Sequence, residues 1–390
     1  MSCIYCNSEV IEAWNLGDFP PSDTFCNSER ASLEILSEKL AVGVCTSCGL
    51  TQNTVLLSEK IRYEDNEYAY SSANSSYAKS HWSNFTEDLK KKKLLNNKEK
   101  VLEVGANDGY LLNLIKSHFP NSDVTGLDAS PFQVSKASEN FPDIKMIHNI
   151  FGISDDLLSN HFYDIVIGNN VLNHSNQLNK FLSRVKDVLA KDGFFIFEVP
   201  ALDIMFLKNK WDMIYHEHTS YFSINSILNI FPNAGFEVVS IELSDYHGGS
   251  FRVLAKQADS SLSGRLITTN YEHESLSKIK ASAEMQRETL LKKIKSIKSN
   301  SSKKIYFFGA PAKGVTFINY CGLSSDLIEG CLENSLDKIG KFIPKSGLPI
   351  INEKNVEQGS YAINLLWNIP DVFEVFCKKN NLEEISYEIN

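Results

Sequence analysis

The feature that most restricts the fold of this chain is an alternation of short apolar strands and helices that begins near Lys100. Strands are predicted at 101–104, 123–128, 145–149, 163–168 and 193–199, with helices at 110–115 and 181–189. Parallel strands are buried on both faces, and a helix usually makes the crossover between them. The pattern therefore predicts an α/β fold whose central domain is a doubly wound, Rossmann-like parallel sheet.

Further segments divide the chain into three predicted domains. Residues 275–302 have the apolar spacing of a linker helix, and strands at 304–309, 327–333 and 361–367 indicate a second α/β, Rossmann-like unit. The polar, tyrosine-rich stretch 63–72 is either a loop over a site or a solvated connection, and we favour the connection. We expect a small N-terminal domain at 1–65, a central domain at 66–274, and a linker helix with a C-terminal domain at 275–390.

Charge and hydropathy exclude several classes of protein. The chain has 39 basic and 48 acidic residues, a net charge of −9, which argues against a nucleic-acid or polybasic membrane partner. It has no run of about 18 apolar residues, and its N-terminus lacks the profile of a signal peptide. We therefore expect a cytoplasmic protein without membrane or nucleic-acid partners, as a monomer or weak oligomer.

Four of the eight cysteines form two C-x-x-C units, Cys3 with Cys6 and Cys45 with Cys48. Without a secretory signal, such pairs indicate a metal site rather than disulfides. Each tight turn lets two sulfurs reach one ion at about 2.3 Å, and two such turns complete a tetrahedron. Four protein ligands leave no open position, so the sequence predicts structural zinc. The other cysteines are expected to be packed thiols: Cys26, Cys321, Cys331 and Cys377.

A glycine-containing loop follows the first strand of the central domain. Glu103, Gly105, Asn107 and Gly109 have the layout of a cofactor loop, but Asn107 replaces the second glycine of the dinucleotide motif. This departure favours S-adenosylmethionine, which has no pyrophosphate, over NAD. Asp128 ends the second strand, where an acidic residue grips ribose hydroxyls in dinucleotide folds.

Asn169 follows the fourth strand, at the sheet edge where ligands bind. It is equally suited to contacting the amino-acid half of the cofactor and to capping a helix. Together with Asp128 and five strands in order, the loop makes an S-adenosylmethionine-dependent methyltransferase the leading interpretation.

A cluster of proton-handling side chains follows the fifth strand: Tyr215, His216, Glu217, His218 and Tyr221. In an extended segment, the two histidines share one face. A glutamate beside a histidine can hold the imidazole basic and in one tautomer. A second metal site is conceivable, but further ligands are not evident, and a general base is the better hypothesis.

Taken together, the motifs resemble those of the sugar C-methyltransferases of deoxysugar biosynthesis, which 3-C-methylate nucleotide-linked 4-keto-6-deoxyhexoses. The matching motifs run nearly from end to end: the cysteine pairs, 103–112, 170–174, 197–200, 214–223, 248–253, 309–314, 338–341, 349–350 and 366–368. The sequence departs from the family at Asn74, at Glu333 where aspartate is usual, and at 346–348.

The resemblance implies a zinc domain, a methyl-donor domain and a nucleotide-sugar domain, with the active site between them. It matches Tyr215, Glu217 and His218 to the family's catalytic cluster, with His218 as the base. It also implies a nucleotide-diphosphate sugar as the substrate. The expected substrate-binding residues are Gly309, Ala310 and Lys313, near the diphosphate, and Tyr221.

The implied chemistry begins with a ketone at C4, which makes the C3 proton acidic. We expect His218 to take that proton with Glu217 orienting it, and Tyr215 and His216 to donate hydrogen bonds to the enolate oxygen. The main alternative is an O-methyltransferase of a nucleotide-linked or polysaccharide sugar. A non-catalytic sugar-nucleotide-binding protein and a zinc-dependent hydrolase are weaker alternatives.

Overall fold

The computed structural model describes residues 1–58, 62, 75–96, 99–153, 158, 162–258 and 270–387. The 63–72 stretch and Asn74, both singled out in the sequence, lie outside the described residues. Strands and helices form three sheets with their flanking helices, and the predicted α/β class with a Rossmann-like central sheet is confirmed. The predicted domain boundaries stay predictions.

The N-terminal sheet is antiparallel, with strand order β1-β2-β3-β9. Its elements are β1 (Val10–Phe19), α1 (Glu29–Leu33), β2 (Glu38–Cys45), β3 (Thr51–Asn53) and β9 (Ser220–Tyr221). The last strand comes from the predicted catalytic segment, far along the chain, and pairs with β3. The N-terminal sheet therefore holds part of the candidate site in place.

The central sheet has seven strands in the order β10-β11-β8-β7-β4-β5-β6. Its elements are α2 (Ser76–Lys91), β4 (Lys100–Val104), α3 (Tyr110–His118), β5 (Asp123–Asp128), α4 (Pro131–Asn140), β6 (Lys145–His148), β7 (Tyr163–Ile167), α5 (Leu178–Val188), β8 (Leu189–Pro200), α6 (Leu202–Leu207), α7 (Ile224–Asn233), β10 (Phe236–Ser244) and β11 (Ser250–Gln257). Strands β4 to β8 are parallel, whereas β10 and β11 add an antiparallel edge that the sequence analysis did not predict. The strand order reverses beside β4, and ligands bind at such a point in open α/β sheets.

The C-terminal domain is a smaller sheet of five parallel strands in the order β14-β13-β12-β15-β16. Its elements are β12 (Ile305–Phe308), α9 (Ala312–Cys321), β13 (Gly330–Glu333), β14 (Ile350–Asn352), β15 (Tyr361–Asn364), α10 (Pro370–Asn380) and β16 (Glu383–Glu384). The predicted linker helix precedes it as α8 (Asn270–Asn300), which begins five residues earlier than expected. Across the described ranges, no helix combines the length and the apolarity needed to cross a membrane.

Trp211 packs between the N-terminal sheet, helix α8 and the C-terminal domain. Its ring is 1% exposed and packs against Trp14 of β1 and Phe317 of α9. Its indole N–H donates to Oε1 of Gln286 on α8 at 2.7 Å. Because burial of aromatic side chains contributes strongly to stability, this packing fixes the chain just before the predicted catalytic segment.

Candidate active site

The two cysteine pairs come together in the N-terminal domain. The Cys3 and Cys48 Sγ atoms are 3.6 Å apart, those of Cys6 and Cys45 are 3.4 Å apart, and all four lie within 4.8 Å of one another. Sulfurs around one tetrahedral zinc at about 2.3 Å lie roughly 3.8 Å apart. Backbone N–H groups also point at the sulfurs, as from Tyr5 to Cys3 Sγ at 3.4 Å. The four thiolates therefore fit a structural Zn²⁺ ion, which they would hold without an open position.

The predicted cofactor loop turns sharply between β4 and α3. Gly105 and Gly109 have φ of +70° and +75°, and Asn107 has φ of +50°, in the left-handed region that glycine and asparagine tolerate best. A Cβ at Gly105 would lie 2.3 Å from Val171 Cγ2, so the tight packing there also requires glycine. Asp128 braces the loop by accepting from the backbone N–H of Asn107 at 2.8 Å.

Polar atoms without partners face the space beside this loop. Glu103 Oε2 and both polar side-chain atoms of Asn169 are buried, with no hydrogen-bond partner among the residues that the structure describes. Burial, together with the nearby carboxylates of Asp108 and Asp128, holds the pKa of Glu103 well above its ordinary value. The short 3₁₀ helix Leu172–His174 that follows has Val171 at its N-cap, so Asn169 does not cap it. These orphaned groups fit S-adenosylmethionine, which carries hydroxyl and ammonium donors and a carboxylate acceptor.

Tyr215 and His218 form a hydrogen-bonded pair. The Tyr215 hydroxyl lies 2.7 Å from His218 Nε2, and His218 Nδ1 lies 3.0 Å from the carbonyl oxygen of Met213. A carbonyl only accepts, so Nδ1 carries the proton and Nε2 accepts from the tyrosine. Burial lowers the pKa of His218 to about 4, so the imidazole is neutral at physiological pH. The ring of His174 packs edge-on against it at 5.0 Å.

The N-terminal domain holds this pair through Asn53. The Asn53 side-chain amide donates to the carbonyl oxygen of Tyr215 at 3.0 Å, and its Oδ1 accepts from the Tyr221 hydroxyl at 3.1 Å. On the central-domain side, Thr219 donates its backbone N–H to the carbonyl oxygen of Asn173 at 2.7 Å. The segment is thus fixed from both sides, and the Tyr221 hydroxyl points at Asn53.

His216 and Glu217 point away from the pair. The segment turns at these residues instead of running extended, and His216 Nε2 lies within hydrogen-bonding distance of two N-terminal carbonyl oxygens, those of Phe19 at 3.0 Å and Glu38 at 3.2 Å. Glu217 Oε1 accepts from the backbone N–H of Asp23 at 3.1 Å. Burial and the Asp23 carboxylate raise the pKa of Glu217 to about 7. The expected contacts differ: Met213, not Glu217, orients His218, and His216 is not brought to the base.

In the loop after β12, a carboxylate accepts from a backbone N–H group, as Asp128 does in the loop after β4. Gly309 has φ of +86°, and the backbone N–H of Ala310 donates to Glu333 Oε2 at 3.1 Å. The other carboxylate oxygen of Glu333 accepts from the backbone N–H groups of Asn334 and Ser335. The Ala310 N–H, expected near the diphosphate, is therefore already used within the fold.

Lys313, in the first turn of α9, is the buried basic side chain beside this loop. Its ammonium donates to Oδ1 of Asn368 and lies 3.6 Å from the centroid of the Trp367 ring. Burial lowers the pKa of Lys313 to about 7, against the opposing effect of the Asp212 carboxylate. Lys338 lies nearby and donates to the carbonyl oxygen of Ala310 at 2.9 Å. Two lysine side chains thus lie at this edge of the C-terminal domain.

One cavity of about 520 Å³ joins these groups. The cofactor loop, residues 103–109, is called the donor loop from here on because it would hold the methyl donor. The cavity lining includes residues of the donor loop and its surroundings, of the tyrosine–histidine pair and of the start of α9: Asn107, Asp128, Asn169, Tyr215, His218 and Lys313. Asp23 of the N-terminal domain, Lys338 and Asn368 also line it, and sequence reasoning missed their roles. As far as the structure describes the lining, it does not include Gly109, His216, Glu217, Tyr221, Gly309 or Ala310. All three domains therefore contribute to one candidate active site.

Comparisons with known proteins identify the class to which the chain belongs. Residues 76–241 match the model of a methyltransferase domain, and residues 245–383 match that of a C-methyltransferase C-terminal domain. The C-methyltransferase NovU of Streptomyces niveus is 27% identical over 288 residues, which cover 70% of this chain and 68% of that protein. The fold and these matches define an S-adenosylmethionine-dependent methyltransferase. More particularly, the chain belongs to the sugar C-methyltransferase family that its motifs resemble.

Solved structures of methyltransferases match about half of the chain. An S-adenosylmethionine-dependent methyltransferase from Clostridium acetobutylicum is 14% identical with a TM-score of 0.38, covering 48% of this chain and 94% of its own. Magnesium protoporphyrin IX methyltransferase (ChlM) from Synechocystis PCC 6803, solved with bound SAH, is 16% identical with a TM-score of 0.37, covering 46% and 83%.

Proposed function

We propose that this enzyme methylates C3 of a nucleotide-linked 4-keto-deoxysugar through an enolate. The observation that carries the proposal is the Tyr215–His218 pair, which lines the same cavity as the donor loop and Lys313. A carbon that bears hydrogen becomes a nucleophile only after a base removes its proton. A neutral imidazole beside a phenol supplies a base and a hydrogen-bond donor for that step.

His218 is the proposed base. Its Nε2 carries the basic lone pair because Met213 fixes the proton on Nδ1. Nε2 of His218 takes the proton from C3, and the electron pair of the broken C–H bond forms the enolate. The low pKa of His218 makes the imidazole available even in mildly acidic solution, although it also makes the imidazolium a short-lived state.

Tyr215 is the proposed donor to the enolate oxygen. In this structure its hydroxyl donates a hydrogen bond to the base's own nitrogen, across 2.7 Å. We infer that the substrate's C4 oxygen takes over this hydrogen bond when it binds, which also frees Nε2 to take the C3 proton. One donor aimed at a developing oxyanion contributes about 3–4 kcal/mol in other enzymes.

The cofactor is proposed to be held by the donor loop. Gly105 and Asn107 shape the backbone, and Asp128 and Glu103 offer carboxylates for hydroxyl and ammonium groups. Asn169 offers an amide that has no hydrogen-bond partner among the described residues. S-adenosylmethionine, when bound, supplies the methyl group that the enolate carbon takes up. Binding of both ligands in one cavity gives the proximity that accounts for a large part of such accelerations.

The nucleotide diphosphate is proposed to lie at the C-terminal edge of the cavity. Lys313 and Lys338 are the cations that the structure places in its lining there. Because the whole chain carries −9, these local charges must hold the diphosphate against an unfavourable overall field. Glu333 accepts from the backbone N–H of Ala310, and the Tyr221 hydroxyl donates to Asn53. Both side chains are therefore proposed to hold the site in shape.

The experiment that tests the function is incubation of the full-length enzyme with methyl-labelled S-adenosylmethionine and a panel of nucleotide-linked sugars with and without a 4-keto group. Mass spectrometry should find a labelled product from the 4-ketosugars. Methylation of sugars that lack a ketone would favour the O-methyltransferase instead. Exchange of the C3 hydrogen with deuterium from the solvent would be expected of the enolate route and not of O-methylation.

A further inference from the structure

His247 has a backbone conformation that residues other than glycine seldom adopt. It lies in the loop between β10 and β11 with φ of +54° and ψ of +23°, in the left-handed region. Only a few per cent of residues with a Cβ are found there, although asparagine, aspartate and histidine are enriched over the others. Such strained residues persist where the surroundings determine them, and they cluster at functional sites.

The surrounding structure holds this loop on three sides. The Tyr77 hydroxyl donates to the carbonyl oxygen of Asp245 at 3.0 Å, and Lys208 Nζ donates to that of Gly248 at 2.9 Å. Gly248 packs so closely on the C-terminal domain that a Cβ would lie 2.2 Å from Trp367 Cζ3. The strain at His247 is therefore built into the joint between two domains.

The side chain of His247 lines the cavity of the candidate active site. It also lines a smaller adjoining pocket of about 20 Å³, and His218 lines both. Its ring packs on Tyr246 with centroids 4.0 Å apart. Burial, together with the nearby Lys313 ammonium, lowers the pKa of His247 to about 3. The ring is thus a neutral imidazole, with one N–H donor and one acceptor nitrogen.

We propose that His247 is a substrate-binding residue. Its imidazole hydrogen-bonds an oxygen of the sugar in the part of the cavity between His218 and Lys313. The inference deepens the proposed function and rests on its assignment of a nucleotide-linked sugar as the molecule that is methylated. A rigid loop at a domain joint suits this role, because it fixes the ring relative to both the base and the C-terminal cation. Nothing in the motif reasoning from the sequence had assigned a role to this histidine.

A pair of variants separates the backbone of His247 from its side chain. His247→Gly and His247→Ala both remove the imidazole, but only glycine adopts a positive φ without strain. At most positions glycine is less stable than alanine, so a higher Tm of His247→Gly than of His247→Ala would verify the strain. Lys93→Gly, at an exposed residue with φ of +55° outside the cavity, is the matched control.

The kinetic readout is KM for the nucleotide sugar beside Kd for S-adenosylmethionine. Both His247 variants are expected to raise KM about 10-fold or more, with the cofactor Kd unchanged and Lys93→Gly like the wild type. If both variants turn over 4-ketosugars at the wild-type rate and with unchanged KM, the role of His247 is overturned while the proposed function stands. A wild-type enzyme inactive on all such sugars would overturn the proposed function and this role with it.

Discussion

The hydroxyl of Tyr215 donates to Nε2 of His218 across 2.7 Å, because Nδ1 is committed to the carbonyl oxygen of Met213. This relationship fixes the tautomer of the imidazole. It also couples the proposed base to the proposed oxyanion donor, so that loss of either side chain changes the state of the other. The pair therefore makes distinct predictions for the two residues.

Replacing His218 by asparagine should remove the base while keeping a polar side chain of similar reach. We expect kcat to fall by about 10²–10⁴-fold, and deuterium exchange at C3 to fall with it. The cofactor Kd should be unchanged, as measured by calorimetry. His118→Asn, at an exposed histidine on α3, is the control, and a His218→Asn enzyme with normal turnover would refute the assignment of the base.

Tyr215→Phe should also lower kcat, by about 10²–10³-fold, because it removes the proposed donor to the enolate oxygen.

Asp128→Asn should weaken the binding of S-adenosylmethionine. The carboxylate lies at the end of β5 in the cavity, and it also accepts from the backbone N–H groups of Asn107 and Ser130. We expect Kd to rise about 10–100-fold, because a charge-assisted hydrogen bond is worth about 1.5–3 kcal/mol. Asp123→Asn, at the exposed start of the same strand, should leave Kd unchanged. Equal Kd values for the two variants would argue against a cofactor role for Asp128.

Glu217→Gln should stabilise the protein at alkaline pH. The folded-state pKa of Glu217 is raised to about 7, so its carboxyl favours folding below the unfolded pKa near 4.5 and loses that advantage as pH rises through 7. Glutamine keeps the oxygen that accepts from Asp23 and carries no charge. We expect the variant to be more stable than the wild type by roughly 2–3 kcal/mol at pH 8 and by little at pH 4.5.

Thermal or urea unfolding at the two pH values measures this difference. Glu288→Gln, at an exposed glutamate of α8, should show none. A Glu217→Gln protein that is less stable than the wild type at pH 8 would mean that the carboxylate is stabilised where the structure shows it buried beside Asp23.

Metal removal should affect the catalytic segment as well as the N-terminal domain. We expect about one zinc ion per chain by elemental analysis, lost in Cys48→Ser and retained in Cys377→Ser. Because Asn53 holds Tyr215 and Tyr221 from strand β3, loss of the metal should lower both Tm and kcat. Full activity of a zinc-free, folded Cys48→Ser enzyme would contradict this coupling.

Local patterns predicted most of the central fold. The strand at Asp123–Asp128 has the predicted bounds, and the other parallel strands differ by a few residues at their ends, because apolar runs and glycine loops are local signals. The antiparallel strands β10 and β11 were missed, since alternation on a half-exposed edge is weak. Strand β9 is two residues long and is defined by its pairing with β3, which no local pattern reveals.

The candidate site could be predicted only where the motif itself carries the chemistry. Tyr215, His218, Asp128 and Lys313 do line the cavity, whereas His216 and Glu217, from the same motif, point toward the N-terminal domain. The direction of a side chain depends on the turn at 216–217 and on tertiary packing. Residues such as Asn53, Asp23 and His247 act through long-range contacts, so their neighbours in sequence give no signal.

The central claim is that the methyl group is transferred to a carbon. It is tested most directly by NMR of the product formed by the wild-type enzyme from S-adenosylmethionine with a ¹³C-labelled methyl group and a nucleotide-linked 4-ketosugar. The account predicts that the labelled carbon is bonded to C3 and that C3 no longer carries hydrogen. A labelled carbon bonded to oxygen, with the C3 hydrogen retained, would contradict it.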